Sequence, residues 1–194
     1  MVSVVYHDDL KEVQGDAALM ALLGAPQARA PFDRLEWWQG LVDHCGILPL
    51  IAVARDGEHR AVLPLMRQQR RIHALKIWYT FRVVPLISKG ADPQAMLDAL
   101  ADGLIGEAPH LLLEPLADED GLATRLATAL RKAGWITFMA PCDVNHVLEV
   151  GGRSYAEYLA TRPGPLRTTL KRKAGKVSVE LTSRFDSALW AEYE

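Results

Sequence analysis

Cysteine is scarce in this chain of 194 residues: Cys45 and Cys142 stand nearly a hundred positions apart. There is no CxxC and no Cys/His pair at metal-ligand spacing, so neither a disulfide framework nor a zinc site is expected, and each thiol reads as a small buried side chain. An excess of one charge is missing too, because 22 Lys plus Arg face 24 Asp plus Glu for a net charge of -2. That balance excludes a nucleic-acid coat and an acidic tail. No apolar run approaches the ~20 residues that span a bilayer, and the opening MVSVVYHDDL has no basic segment followed by an apolar one. The expectation is a soluble, unexported, cytoplasmic protein without a membrane span. GxSxG, HExxH and the phosphate-binding P-loop are likewise absent.

What is present is the composition of a globular protein, 49% apolar and 24% charged. Val2 to Tyr6 reads as a strand and Asp9 to Leu23 as a helix-favouring segment. Asp33 and Glu36 form an N-terminal capping pair ahead of Trp37, Trp38, Leu41 and Val42, in a helix that Gly46 should stop. The period then changes. LIAVARDG, EHRAVLPLMRQQ and RIHALKIWYTFRVV are β-branched and aromatic runs, joined by the hairpin signal Asp56-Gly57 and a polar connection at Gln68 to Arg71. Three antiparallel strands follow from this, with Pro64 expected at an edge, a bulge or a strand end. Asp92-Pro93 opens a helix with Met96, Leu97, Leu100, Leu104 and Ile105 on one face. His110 to Pro115 reads as a strand, Glu119 to Ala133 as a helix closed by Gly134, and Trp135 to Ala140 and His146 to Val150 as two more strands.

Residues 1–150 thus make one α/β (α+β) domain, a mixed, mostly antiparallel twisted sheet flanked by helices on both faces. Its expected core includes Leu63, Leu65, Ile77, Leu100, Leu112, Leu126, Leu130 and Ile136. After Gly151-Gly152, a capping box at Ser154 and Glu157, a basic helix over Pro165 to Lys176, a strand over Val177 to Thr182 and a further helical segment begin something new. So little chain cannot bury much apolar surface, so residues 151–194 either pack on the first domain or open a second, truncated one; the latter is the expectation.

Three segments, in order, resemble the two-domain branch of the GNAT acyltransferase superfamily, the CelD-like and Fem-like proteins. PFDRLEWWQGL is similar to a Phe-x(4)-Trp helix near the family's start, VARDGEHRAVLPLM to the hairpin after it, and SYAEYLATRPGPLRTTLKRKAGKV to its linker. The resemblance implies a GNAT-like N-terminal domain and the start of a second one. It also implies an N-acyltransferase that moves an acyl group from acetyl-CoA, another acyl-CoA or an aminoacyl donor to an amine of a polysaccharide, envelope or small-molecule acceptor, which can be nucleotide- or sugar-linked. The family's glycine-rich phosphate loop is missing; the positions before the two candidate helices read ISKGA and LADED. The alternative is a noncatalytic acceptor-binding or scaffolding module.

Charges are segregated. Residues 59–91 hold seven basic side chains and no acidic one, and residues 92–120 hold eight acids and no Lys or Arg. A second basic block lies between Arg162 and Lys176. Both read either as solvated faces or as anion-binding surfaces for phosphates. An RNA-binding module would use such blocks, but the net charge of -2 and the lack of an RNA-binding signature oppose it. The candidate substrate and anion contacts are Trp38, Arg71, Lys76, Trp78, Arg82, Arg167, Lys171 and Arg172, with Lys76, Trp78, Thr80 and Arg82 on one face of a strand and Leu75, Ile77, Tyr79, Phe81 and Val83 on its buried face. Trp37 reads as core and Trp38 as surface. Acyl transfer needs a base, for which His73, His110, Glu114 and His146 are candidates; each is better suited to a structural hydrogen bond, and no catalytic set can be named. Coenzyme A phosphates would suit a basic helix stripe carrying Arg167 and Lys171.

Overall fold

The Asp56-Gly57 turn sets the centre of the sheet. Strands β2 (Pro49–Asp56) and β3 (His59–Gln68) pair antiparallel from Pro49 with Met66 to Asp56 with His59, and Gly57 takes φ +56° in the tight connection between them. Both strands are apolar runs rather than alternations because both faces are covered. The computed structural model of the chain describes residues 2–24, 30–142, 146–179, 181 and 183–193, in two units, 1–143 and 144–194.

In the first unit, β1 (Ser3–His7) leads to the short helices α1 (Leu10–Gln14) and α2 (Ala17–Leu23), a 3-10 turn (Pro31–Asp33) and α3 (Leu35–Cys45). After β2 and β3 come β4 (Arg71–Ala74), β5 (Leu86–Ile87), α4 (Pro93–Gly103), β6 (His110–Leu112) and α5 (Leu122–Lys132). The sheet runs β1-β2-β3-β4-β6, with β5 on β3, and every pair is antiparallel except β4 with β6. This is a mixed α/β fold with a mostly antiparallel open sheet. One core joins Leu63, Leu65 and Ile72 of the sheet to Leu97, Leu100, Leu126 and Leu130 of α4 and α5; another joins Ile51, Val53 and Val62 to Leu10, Leu19, Trp38 and Leu41 of α1 to α3.

Local side chains decide the helix boundaries. The segment expected as one helix over Asp9 to Leu23 is two, because the Asp16 carboxylate accepts from the Ala18 and Leu19 amides and starts α2 afresh. At the end of α3, Gly46 adopts φ +63°, the left-handed conformation of a helix C-terminus. The α4 helix passes so close to β1 that a Cβ on Gly103 would lie 2.8 Å from the Tyr6 hydroxyl.

Several expectations fail where neighbours override periodicity. Trp135 to Ala140 and His146 to Val150 join no ladder, and Ile136 is 85% exposed rather than core. Leu112 is also exposed and Ile77 only half-buried, because β6 ends at Leu112 and the chain leaves the sheet before Ile77. Pro64 sits inside β3, not at an end. The helix over Glu119 to Ala133 shortens to Leu122–Lys132 because Asp118 and Asp120 turn their carboxylates onto its first amides. Both cysteines are exposed: Cys45 is the last residue of α3, and Cys142 lies beyond the last helix of the unit.

The second unit contains α6 (Tyr155–Ala160), α7 (Gly164–Ala174) and α8 (Ser187–Tyr193). The Ser154 hydroxyl accepts from the Glu157 amide while the Glu157 carboxylate accepts from the Ser154 amide, a complete capping box. Of the strand expected over Val177 to Thr182, the described residues 177–179 and 181 form no ladder, and 180 and 182 lie outside the described residues. Among the described residues no helix is long and apolar enough to cross a membrane, and no group of three or more His, Cys, Asp or Glu could hold a metal ion.

Two outcomes follow from this packing. Leu63→Ala should destabilise the protein by about 2–5 kcal/mol, and Ile136→Ala by under ~0.5 kcal/mol, read as shifts of the urea midpoint at constant slope. Burial pushes the Asp16 carboxyl up, but hydrogen bonds from Arg60, Leu19 and Ala18 outweigh it and hold the carboxyl below its ordinary value of 3.8. A depressed carboxyl stabilises the fold above that value and ceases to do so as pH falls through it, so Asp16→Asn should flatten the loss of Tm on the acid side, below about pH 4.

Candidate functional site

The edge of β3 that carries β4 is interrupted by proline chemistry. Leu65 faces Ala74 in the ladder, and the Pro64 carbonyl accepts from the Leu75 amide at 3.0 Å. Pro64 has no N–H to return, so the ladder stops there. The next pairing on that edge is Val62 with Leu86, and residues 75–85 leave the sheet between the two points. A local turn shapes this excursion: the Thr80 amide donates to the Ile77 carbonyl at 3.0 Å and the buried Thr80 hydroxyl accepts from the Ile77 amide at 3.1 Å. The excursion closes where Val83 bridges Leu116 in parallel and donates to the Pro115 carbonyl at 2.9 Å.

A buried ion pair anchors it from the opposite side. Asp33, 3% exposed, accepts from Arg82 Nη1 at 2.7 Å through Oδ1, and its Oδ2 also accepts from the Ala30 amide at 3.1 Å. A second pair, Lys76 Nζ to Glu114 at 2.7 Å, links the excursion to the chain leaving β6. Between these ties Trp78, Tyr79 and Phe81 turn outward, Trp78 89% and Phe81 71% exposed and Tyr79 exposed as well, while Thr80 stays buried. Phe32 meets Phe81 edge-on at 6.0 Å and Trp37 edge-on at 5.1 Å, so three rings, Trp37, Phe32 and Phe81, form one aromatic strip, with the exposed Trp78 and Tyr79 on the same excursion. The strip lies at the carboxyl ends of β4 and β6, the one parallel pair among the described strands, which is where open sheets with crossover helices form ligand crevices.

The expected site residues separate into four places. Lys76, Trp78 and Arg82 share the excursion, but no strand presents them on one face: Trp78 points to solvent while Arg82 is committed to Asp33. Trp38 is corrected from surface to core: it is 1% exposed, and its indole donates to the Phe32 carbonyl at 2.8 Å. The helix starts at Leu35, so Leu35, Trp38 and Leu41 face inward and Trp37 is left at the margin. Arg71 is the first residue of β4, at the other end of the strand. Arg167, Lys171 and Arg172 are exposed on α7 of the second unit. Of the candidate bases, His73 is half-buried opposite Met66, His110 is exposed at the start of β6, His146 is exposed in the second unit, and Glu114 is held by Lys76.

The start of α4 is capped by its own chain. The Asp92 carboxylate accepts from the Gln94 and Ala95 amides at 2.9 and 3.2 Å, and Pro93 has no N–H. The first amides of α4 are thus occupied by a carboxylate of the chain itself. From sequence, Asp33 reads as half of a capping pair and Tyr79 and Phe81 as the buried face of a strand, whereas both rings are exposed because that strand does not continue past Ala74; the Phe-x(4)-Trp spacing of Phe32 and Trp37 is the one local signal of the strip.

Arg82→Ala should leave the Asp33 carboxylate buried and unpaired and cost roughly 2–4 kcal/mol in chemical unfolding, less than a fully enclosed pair because Arg82 retains some exposure. Trp78→Ala should change stability by under ~0.5 kcal/mol. Against protein-family models, curated proteins and solved structures, the chain has no match.

Proposed function

We propose that the first unit is a GNAT-like domain that binds the acceptor of an N-acyltransferase of the two-domain type, with the aromatic strip and the exposed Trp78 of the same excursion as the contact surface. What supports the GNAT reading is topology: an antiparallel meander β1-β2-β3-β4 followed by a crossover through α4 to β6, parallel to β4. The observation that carries the division of labour is the Asp92 cap. A carboxylate across the first amides of α4 repels a coenzyme A pyrophosphate, so the acyl donor, acetyl-CoA or a related thioester, is held elsewhere, and residues from 151 onward begin the domain that holds it. Exposed rings suit an amino sugar, whose apolar ring face stacks, whose ammonium is attracted to a ring face and whose hydroxyls remain solvated.

The second reading, a noncatalytic acceptor-binding or scaffolding module, draws on the same cap. It differs in expecting acceptor binding without thiol release from any longer form of the protein.

Two measurements test the proposal. The 194-residue protein mixed with acetyl-CoA and a panel of amines should release no thiol above background; release would place the donor site within these residues and refute the division of labour. Calorimetric titration with glucosamine oligomers should give binding that Trp78→Ala and Phe81→Ala each weaken by about 5- to 10-fold, the weight of one stacking contact. Absent binding, or binding by both variants as tight as by the unaltered protein, would remove the strip from the acceptor site.

A further inference from the structure

The seven cations of residues 59–91 do not share one fate. Arg60 pairs with Asp16 at 2.8 Å, Arg67 with Glu107 at 2.6 Å, Lys76 with Glu114, and Arg82 with Asp33. Arg70 and Arg71 have no acidic partner among the described residues, although they sit side by side at the β3–β4 connection. Gln68 faces Arg71 in the ladder, so Gln69 and Arg70 form a two-residue turn. Gln69 takes φ +55°, the left-handed region that residues with a side chain seldom occupy. Strained backbone of this kind persists where the surrounding structure fixes it, and here it fixes the start of the Arg70-Arg71 pair.

Beside this turn lies a groove of about 430 Å³. One wall is Arg67, Gln69, Arg70 and Arg71; the other is the connection from α4 to β6, residues 106–109. Three guanidiniums face one carboxylate, and that carboxylate is spent on Arg67, which also donates to the Glu107 carbonyl at 3.4 Å. The groove therefore carries two uncompensated cations with forked donors. No aromatic side chain lines it, so it offers nothing on which a nucleobase could stack. It is also remote in the sheet from the aromatic strip, since Arg71 and its ladder partner His110 begin β4 and β6 while the strip follows their carboxyl ends.

We propose that this groove binds a small polyanion of the diphosphate class, one phosphate on each of Arg70 and Arg71, with Arg67 held in place by Glu107 as a third donor. Adjacent free guanidiniums match two linked tetrahedral anions better than one, and a planar carboxylate pair would use the forks but not the groove's depth. Glu107 limits affinity, because it lines the same groove with a negative charge. The site is independent of the acceptor reading above and stands or falls without it.

The test is titration of the 194-residue protein with inorganic pyrophosphate, inorganic phosphate and succinate at two salt concentrations. Pyrophosphate should bind at least about tenfold more tightly than either of the others, and more weakly at high salt. Arg70→Ala/Arg71→Ala should weaken pyrophosphate binding by at least about tenfold, with an unchanged thermal melt because both side chains are exposed. Glu107→Gln should strengthen it severalfold by removing the negative charge. The control Arg125→Ala/Arg131→Ala removes equal charge from exposed positions on α5 and should leave binding unchanged. Equal loss in the control, retention in the Arg70/Arg71 variant, loss on changing Arg167, Lys171 and Arg172 alone, or equal affinity for succinate would each overturn the proposal.

Discussion

A single missing hydrogen-bond donor organises the end of the sheet where the aromatic rings face water. Pro64 lies in the middle of β3, where its neighbours on β2 hold it in register with Ile51, and its carbonyl still serves the Leu75 amide. The donor that should answer from β3 does not exist, and a strand that would otherwise have run on from Ala74 is released. Without that release the residues KIWYTFR would have been pressed against β3, with Tyr79 and Phe81 directed into a core. Instead they form an outward loop whose ends are secured by Asp33 and by the Pro115 carbonyl. The cost of enclosing Asp33 is offset because its oxygens receive both a guanidinium and a backbone amide.

The two ends of the β4–β6 pair differ in chemistry. At the carboxyl ends the charges neutralise one another and apolar rings face water; at the amino ends rings are absent and cations are left over. The segregation of basic and acidic residues in the sequence accounts for part of this. Arg67 with Glu107 and Lys76 with Glu114 are joins between the two blocks, so much of the charge is consumed in fastening the β6 side of the sheet to its centre. Of the three cations in residues 59–91 that have no acidic partner among the described residues, Arg70 and Arg71 sit together at one hairpin turn and Lys89 lies apart from them.

Features carried by a few adjacent residues were legible before the fold was known. Asp92-Pro93, Ser154 with Glu157, Gly46 and Asp56-Gly57 each act through a side chain or a backbone preference that needs no distant partner. The mostly antiparallel sheet followed from the strand runs for the same reason. Failures came where a partner far along the chain decides. RIHALKIWYTFRVV has the composition of a strand, and only Pro64 on the neighbouring strand explains why it stops at Ala74. Trp37 and Trp38 cannot be told apart until the first residue of α3 is known, and Asp33 looks like a cap until Arg82 is brought to it from 49 positions away. Ile136 has no neighbour to bury it because the strand it was assigned to does not form.

The edges of the sheet are unequal as templates for assembly. On one side β6 is three residues long, too short to seed an added strand; just beyond it Pro115 has no N–H to offer and its carbonyl is already taken by Val83. On the other side β1 pairs with β2 over five residues, and among the described strands nothing pairs with its outer edge. Any extension of this sheet from one molecule to the next would therefore join β1 to the β1 of a second copy and close at two molecules. Asp8 and Asp9, just past the end of the strand, set two exposed carboxylates beside that edge, so the edge with room for a new strand is also the one guarded by electrostatic repulsion between copies.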